Sequence, residues 1–278
     1  MSELIKRVIV SAALIPAVVL LTLWENTIPF AAGVYLIILL GNKEIIPLMR
    51  KAGEPVTPAI AWLGALTTPI CFYFTDLKWV LFAFVMIMII FVAFITKLFS
   101  GDPAGGTIRY VSSNIFAAVF FPMMFSFIWL LRELPNGSLW LFYLFVAIWA
   151  SDIFAYFVGS KIGRRKIIPK ISPKKSLEGF IAGITGGTGL AILFYCLFIA
   201  GSDRVPFIMI IIMSVDIVAA GILGDLFESM MKRNAQIKDS GALIPGHGGI
   251  LDRIDSILFA APVLYVYLYM YVRIWGGA

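Results

Sequence analysis

Long uncharged apolar runs, separated by short charged segments, fill most of the chain. Such runs fall at Val8–Trp24, Asn26–Asn42, Pro55–Thr75, Trp79–Thr96, Tyr110–Leu131, Leu134–Ser151, Phe180–Ser202 and Ser256–Val272. A further run, Val205–Glu228, has the same length but is interrupted by Asp216, Asp225 and Glu228. A bilayer core of about 30 Å requires about 20 mostly apolar residues in a helix. In lipid only helices or closed barrels satisfy their backbone, and continuous runs of this length specify helices. The pattern therefore predicts an all-α, polytopic membrane protein of about nine spans. The first run follows Lys6 and Arg7 as a signal peptide would, but it is long for one and shows no clear cleavage site, so it reads as a retained span.

Composition agrees. Of 278 residues, 61% are apolar and 14% charged, against about 45–50% and about 25% in soluble domains. The mean hydropathy is +0.97. The net charge is +6, and its placement assigns it to topology and anionic head groups rather than nucleic acid. With the N-terminus inside, inner segments hold eighteen of the 22 basic residues and outer segments hold Lys78, Arg132, Arg204 and Arg273. This predicts a cytoplasmic N-terminus and an external C-terminus. Two inner loops stand out, 160–176 and 229–255. Pro55, Pro58 and Gly101–Gly106 mark breaks that divide the chain into N-terminal helices (1–100) and a C-terminal region (101–278). Cys71 and Cys196 lie in apolar runs and read as small buried hydrophobes. The Gly183–Gly187 spacing reads as close helix packing, and Gly101–Thr107 as a turn, since it lacks the lysine of a phosphate-binding loop.

Carboxylates inside apolar runs carry the chemistry. Asp152 lies nine residues before Lys161, roughly 13 Å along a helix. Asp225 and Glu228 are three apart and share a helix face, as do Asp252 and Asp255. All five are expected in the inner third of the bundle, facing the basic loops, where intramembrane carboxylates mark a site. Asp216, half a turn away from Asp225, faces elsewhere and reads as a buried polar contact or a proton or ion path. Carboxylates without clustered Cys or His select a hard cation, Mg²⁺ above all. The one histidine, His247, sits in a His-Gly-Gly turn that permits close backbone approach. Neighbouring lysines and arginines suit phosphates. Together these read as phosphoryl or nucleotidyl transfer at a membrane surface.

The stretch 229–255, SMMKRNAQIKDSGALIPGHGGILDRID, resembles the signature of the phosphatidate cytidylyltransferases. Ser229, Lys232, Arg233, Lys238, Asp239, Gly241, Pro245, His247, Gly248, Gly249, Asp252, Arg253 and Asp255 fit the family pattern without a gap. Upstream, Asp152, Ala155, Tyr156, Gly159, Gly163 and the run SPKKSLEG at 172–179 resemble the family too. The likeness covers residues 145–275; residues 1–100 match only as generic apolar helices.

The resemblance implies an enzyme of the cell membrane, its site open to the cytoplasm, condensing CTP with phosphatidic acid to give CDP-diacylglycerol and pyrophosphate. It implies a homodimer, Mg²⁺, and room for a second cation such as K⁺. The expected metal ligands are Asp225 and Asp252, with Asp255 and Asp152 beside them. Lys232, Arg233, Lys238, His247 and Arg253 are expected at the triphosphate, with Gly248 and Gly249 in the same turn. Lys174 and Lys175 are expected at the lipid phosphate. Ser176 reads as a helix cap in preference to a substrate contact; Asp239 reads as a ligand or as a partner of Lys232. Two alternatives stand beside this reading. A CTP-dependent lipid kinase would use similar groups but release CDP. A cation or phosphate transporter would also need intramembrane carboxylates, but charge confined to one half and one side does not fit paired half-repeats.

Overall fold

The computed structural model describes residues 12, 15–73, 76–202, 205–241, 243 and 248–275. Among them the regular structure is helical, and Lys166 and Ser176 form an isolated antiparallel bridge. The helices are α1 (Ile28–Lys51), α2 (Pro58–Cys71), α3 (Lys78–Leu98), α4 (Thr107–Ile115), α5 (Phe121–Arg132), α6 (Gly137–Ile162), α7 (Leu177–Phe194), α8 (Phe207–Asn234) and α9 (Leu251–Trp275). Phe116–Phe120 joins α4 to α5 as a π-helical turn, and Tyr195–Ile199 extends α7 in the same way.

Seven helical stretches among the described residues are long and apolar enough to cross a membrane. Of the expected first span, residues 15–23 are helical, while 8–11, 13 and 14 lie outside the described residues. The expected third span is shorter than its apolar run, because α2 holds 14 residues, about 21 Å at 1.5 Å each. Pro58 starts it, where a missing N–H costs nothing, and Pro69 lies in its last turn. Conversely, α6 and α8 run past the carboxylates that interrupt their apolar runs.

The described residues form two compact units. One comprises Met1–Ser126 and Met231–Arg253, the other Phe127–Met230 and Ile254–Ala278. This division differs from a partition near residue 100. The stretch through Arg253 packs with the N-terminal helices because Glu44 of α1 hydrogen-bonds to it.

In the first unit, Pro122 has no N–H to give the Ala118 carbonyl, and the π-helical turn falls at that point. Gly64 of α2 packs directly against that carbonyl; a Cβ there would lie 2.0 Å from Ala118 O. Gly64→Ala is therefore expected to destabilise the protein by about 1–3 kcal/mol. A lowered thermal midpoint in detergent would show this, and an unchanged midpoint would contradict it. The α1–α2 connection is tied to α4 by Glu54, which accepts from Arg109 Nε and Nη2 at 3.1 Å each and from Ser113 Oγ at 2.8 Å. These bonds, Arg109's foremost, hold the Glu54 carboxyl below its ordinary value. Gly101–Thr107 is a turn as expected, with Asp102 Oδ1 accepting from Gly105 N at 2.9 Å and Gly106 at φ +61°.

In the second unit, α6 and α7 meet along small residues spaced four apart. Cβ atoms at Gly179, Gly183 and Gly187 would lie 2.8–3.0 Å from Ala155 O, Ser151 Oγ and Ala147 O respectively. Packing, the role expected of Gly183 and Gly187, is what the structure gives them. Asp216 accepts a short hydrogen bond from the Tyr267 hydroxyl, the polar contact anticipated for it. Both cysteines are free, but only Cys71 is buried. Cys196 is exposed, because its part of the π-helical turn faces outward, which corrects the expectation of burial.

Candidate active site

A cavity of about 770 Å³ opens in the second unit between the ends of α6 and α8 and the loop that joins α6 to α7. The sequence builds that loop with few degrees of freedom. Gly163 ends α6 where any Cβ would collide with Gly159 O at 2.2 Å and Ser176 Oγ at 2.3 Å. Ser176 caps α7, its Oγ accepting from Gly179 N at 3.2 Å. Glu178, in the first turn, accepts from Arg164 N at 3.1 Å and Arg165 N at 3.3 Å. Leu177 N donates to Arg165 O at 2.8 Å and Ile167 N to Lys175 O at 3.2 Å. The hairpin-like loop so closed carries Lys166, Lys174 and Lys175 to the cavity wall.

Opposite them stand Asp152 of α6 and Asp225 of α8. Lys175 Nζ lies 2.5 Å from Asp225 Oδ2, and both Asp225 and Lys175 act electrostatically on Asp152. Ser229 Oγ approaches Asp225 Oδ1 at 3.4 Å. The cavity thus combines two carboxylates with three lysines. Its volume is of the order of small-molecule sites, about 300–1,000 Å³. Such a surface has the charges to pair with an anionic group through its lysines and with a hard cation through its carboxylates.

The donor set fits Mg²⁺, which is commonly held by one or two carboxylates with water and substrate phosphate completing its octahedron. Lys175 already places one positive charge against Asp225. Among the described residues no three His, Cys, Asp or Glu side chains gather into a metal cluster. Asp255, in the same unit, accepts from Ser256 N at 2.7 Å, and Gly224 lies against its carbonyl. Glu228 is buried at 7% exposure.

The first unit holds a second polar cluster, built by the signature stretch. The end of α8 closes with Ile237 N on Lys232 O at 2.9 Å and Gln236 N on Arg233 O at 3.1 Å. Gln236 takes the left-handed position at φ +56° where glycine is usual. Asp252, in the first turn of α9, accepts from Lys232 Nζ at 2.6 Å on Oδ1. Its Oδ2 accepts from Ser240 N at 3.0 Å, Ser240 Oγ at 3.1 Å and Gly249 N at 2.8 Å. Lys232 therefore pairs with Asp252. Arg233 Nη1 donates to Ile237 O at 3.2 Å. Lys238, Asp239 and Arg253 are exposed. Gly248 adopts φ +84°. His247, and Pro245 with it, lie outside the described residues.

Glu44 was not among the expected site residues. It is 4% exposed, and its carboxylate accepts from Ser240 Oγ, Ile250 N and Leu251 N. A charged residue just past an apolar run reads as a span boundary. The signal that singles it out is an acid flanked by Ile45 and Ile46 within a helix that continues.

The Cytidylyltransferase family model matches residues 5–271. The chain is 32% identical to the phosphatidate cytidylyltransferase of Bacillus subtilis, over 96% of this chain and 98% of that protein. It is 46% identical to the Haemophilus influenzae phosphatidate cytidylyltransferase, over 49% of this chain and 48% of that one. To the Thermotoga maritima phosphatidate cytidylyltransferase it is 42% identical over 42% and 44%.

Proposed function

The chain belongs to the phosphatidate cytidylyltransferases of the cytidylyltransferase family, and from that premise we propose how its residues divide the work. The reaction transfers the cytidylyl group of CTP to phosphatidate, giving CDP-diacylglycerol and pyrophosphate. The attacking phosphatidate oxygen is already largely ionised near neutrality, since a phosphate monoester has a second pKa of about 6. No strong general base is required. The obstacle is the mutual repulsion of two polyanions, and the chain's residues act on that repulsion.

Lys174 and Lys175 receive the lipid phosphate in the second-unit cavity, and Lys166 adds a third positive charge on the same wall. Asp152 and Asp225 are the residues there that would hold Mg²⁺. When bound, Mg²⁺ supplies charge neutralisation and in-line orientation at the α-phosphorus. Lys232, Arg233, Lys238, His247 and Arg253 serve the triphosphate, with Gly248 and Gly249 permitting close approach of the backbone. A metal role for Asp252 and Asp255, and a second cation such as K⁺, rest on the signature alone. The observation that carries this reading is the Asp152–Asp225–Lys175 arrangement in a lysine-lined cavity.

The same reading places the groups that do chemistry within 101–278. It gives the chain about nine spans, a cytoplasmic N-terminus and site, an external C-terminus, a place in the cell membrane and a homodimeric state. The excess of inner-segment lysine and arginine supports the orientation.

Lys174→Ala combined with Lys175→Ala is expected to raise the apparent KM for phosphatidate about tenfold or more, as loss of charge-assisted phosphate contacts does. The KM for CTP should move less. Steady-state kinetics in mixed micelles checks this, and the reverse ranking would assign the lysines to the nucleotide.

A further inference from the structure

Glu44 ties the signature stretch to a helix that carries none of the signature. Its Oε1 accepts from Ile250 N at 3.0 Å, and its Oε2 accepts from Leu251 N at 3.0 Å and Ser240 Oγ at 3.1 Å. The two amides belong to the entry of α9, so a buried carboxylate sits on that helix's positive end. Ser240 Oγ lies 3.1 Å from both Glu44 Oε2 and Asp252 Oδ2. Its single proton serves two carboxylates, so their positions are linked through one hydroxyl.

Two glycines of the signature exist in the space this arrangement leaves. A Cβ at Gly241 would lie 2.4 Å from Glu44 Oε1. A Cβ at Gly249 would lie 2.0 Å from Ser240 Oγ and 2.5 Å from Glu44 Oε2. Gly249 N also donates to Asp252 Oδ2 at 2.8 Å. Thus Gly241 and Gly249 are small because the Glu44 carboxylate packs against them.

We infer that Glu44 is a positioning residue of the reaction. It holds Ser240, Ile250 and the start of α9 so that Asp252, Lys232 and the Gly248–Gly249 turn keep their geometry. The inference rests on the proposed assignment of that stretch to CTP. It adds a contribution from the N-terminal helices, which supply no group to the chemistry itself.

Glu44→Gln tests it, because the amide preserves volume but turns one acceptor into a donor facing backbone N–H groups. Amide exchange at Ile250 and Leu251, measured on the full-length protein in detergent, is expected to speed up. The KM for CTP should rise and kcat fall by about 10–100-fold in combined effect, as for supporting partners of a site, while the KM for phosphatidate stays put. Ser240→Ala, which removes one of the three bonds, should shift the same quantities in the same direction by less; it also serves if Glu44→Gln does not fold. Unchanged exchange at Ile250 and Leu251 would overturn the inference. So would a fall in kcat with both KM values unaltered, which marks a loss of folded enzyme only. Faster exchange together with a raised KM for phosphatidate and an unmoved KM for CTP would sink the assignment of the stretch to CTP and leave the positioning role standing, so the two ideas fail separately.

Discussion

Asp225→Asn is expected to cut turnover by about 10³-fold, several kcal/mol at 1.36 kcal/mol per tenfold, while the protein stays folded. The substitution keeps the side chain's shape and removes its charge. Asp225 is the carboxylate that Lys175 approaches at 2.5 Å, and it shares its cavity with Asp152. Without it a cation there would have one carboxylate in place of two, and Lys175 would lose its partner. The measurement is turnover against Mg²⁺ concentration, with gel filtration to verify the fold. Wild-type turnover, or an unshifted Mg²⁺ dependence, would remove Asp225 from the metal site.

Asp252→Asn is expected to lower turnover strongly for a different local reason. The Asp252 carboxylate accepts four hydrogen bonds, from Lys232 Nζ, Ser240 N, Ser240 Oγ and Gly249 N. Its side chain is 9% exposed and that of Lys232 is 13% exposed. An amide cannot accept on its nitrogen, so it opposes a donor with a donor on whichever side that nitrogen occupies. The loss should reach about 10²–10³-fold, as when a site loses one placed electrostatic partner. Helical content by circular dichroism should persist, because the spans are held by lipid-facing apolar faces and close helix packing. Near-normal turnover would show that neither a metal nor the glycine turn depends on Asp252.

The helical frame was legible because a bilayer imposes length and apolarity on each crossing. Uncharged runs located the seven long helical stretches, and the four-residue glycine spacing anticipated the α6–α7 seam. The sixth span was read to carry Asp152 beyond the end of its uncharged run. Helix α6 continues from Ser151 through Asp152 to Ile162, because Asp152 lines a cavity and need not face lipid. Proline placement shortened α2 in a way hydropathy does not register.

The site was legible in part. Asp152, Asp225, Lys174 and Lys175 do line one cavity, and Ser176 is the cap it was read to be. The pairing of Lys232 with Asp252 joins residues 20 apart across the signature stretch, a separation that no local period encodes. Glu44 was illegible for a physical reason. Its partners are Ser240, Ile250 and Leu251, some 200 residues away in sequence, and no local period encodes a contact between an early helix and a late loop.

The most direct measurement is an assay of purified protein in detergent with cytidine-labelled CTP, phosphatidic acid and Mg²⁺, following the lipid and aqueous phases. The account predicts label entering the lipid phase with one pyrophosphate released per cytidylyl group transferred. Label remaining in the aqueous phase, with CDP as the product or with no product at all, would contradict it.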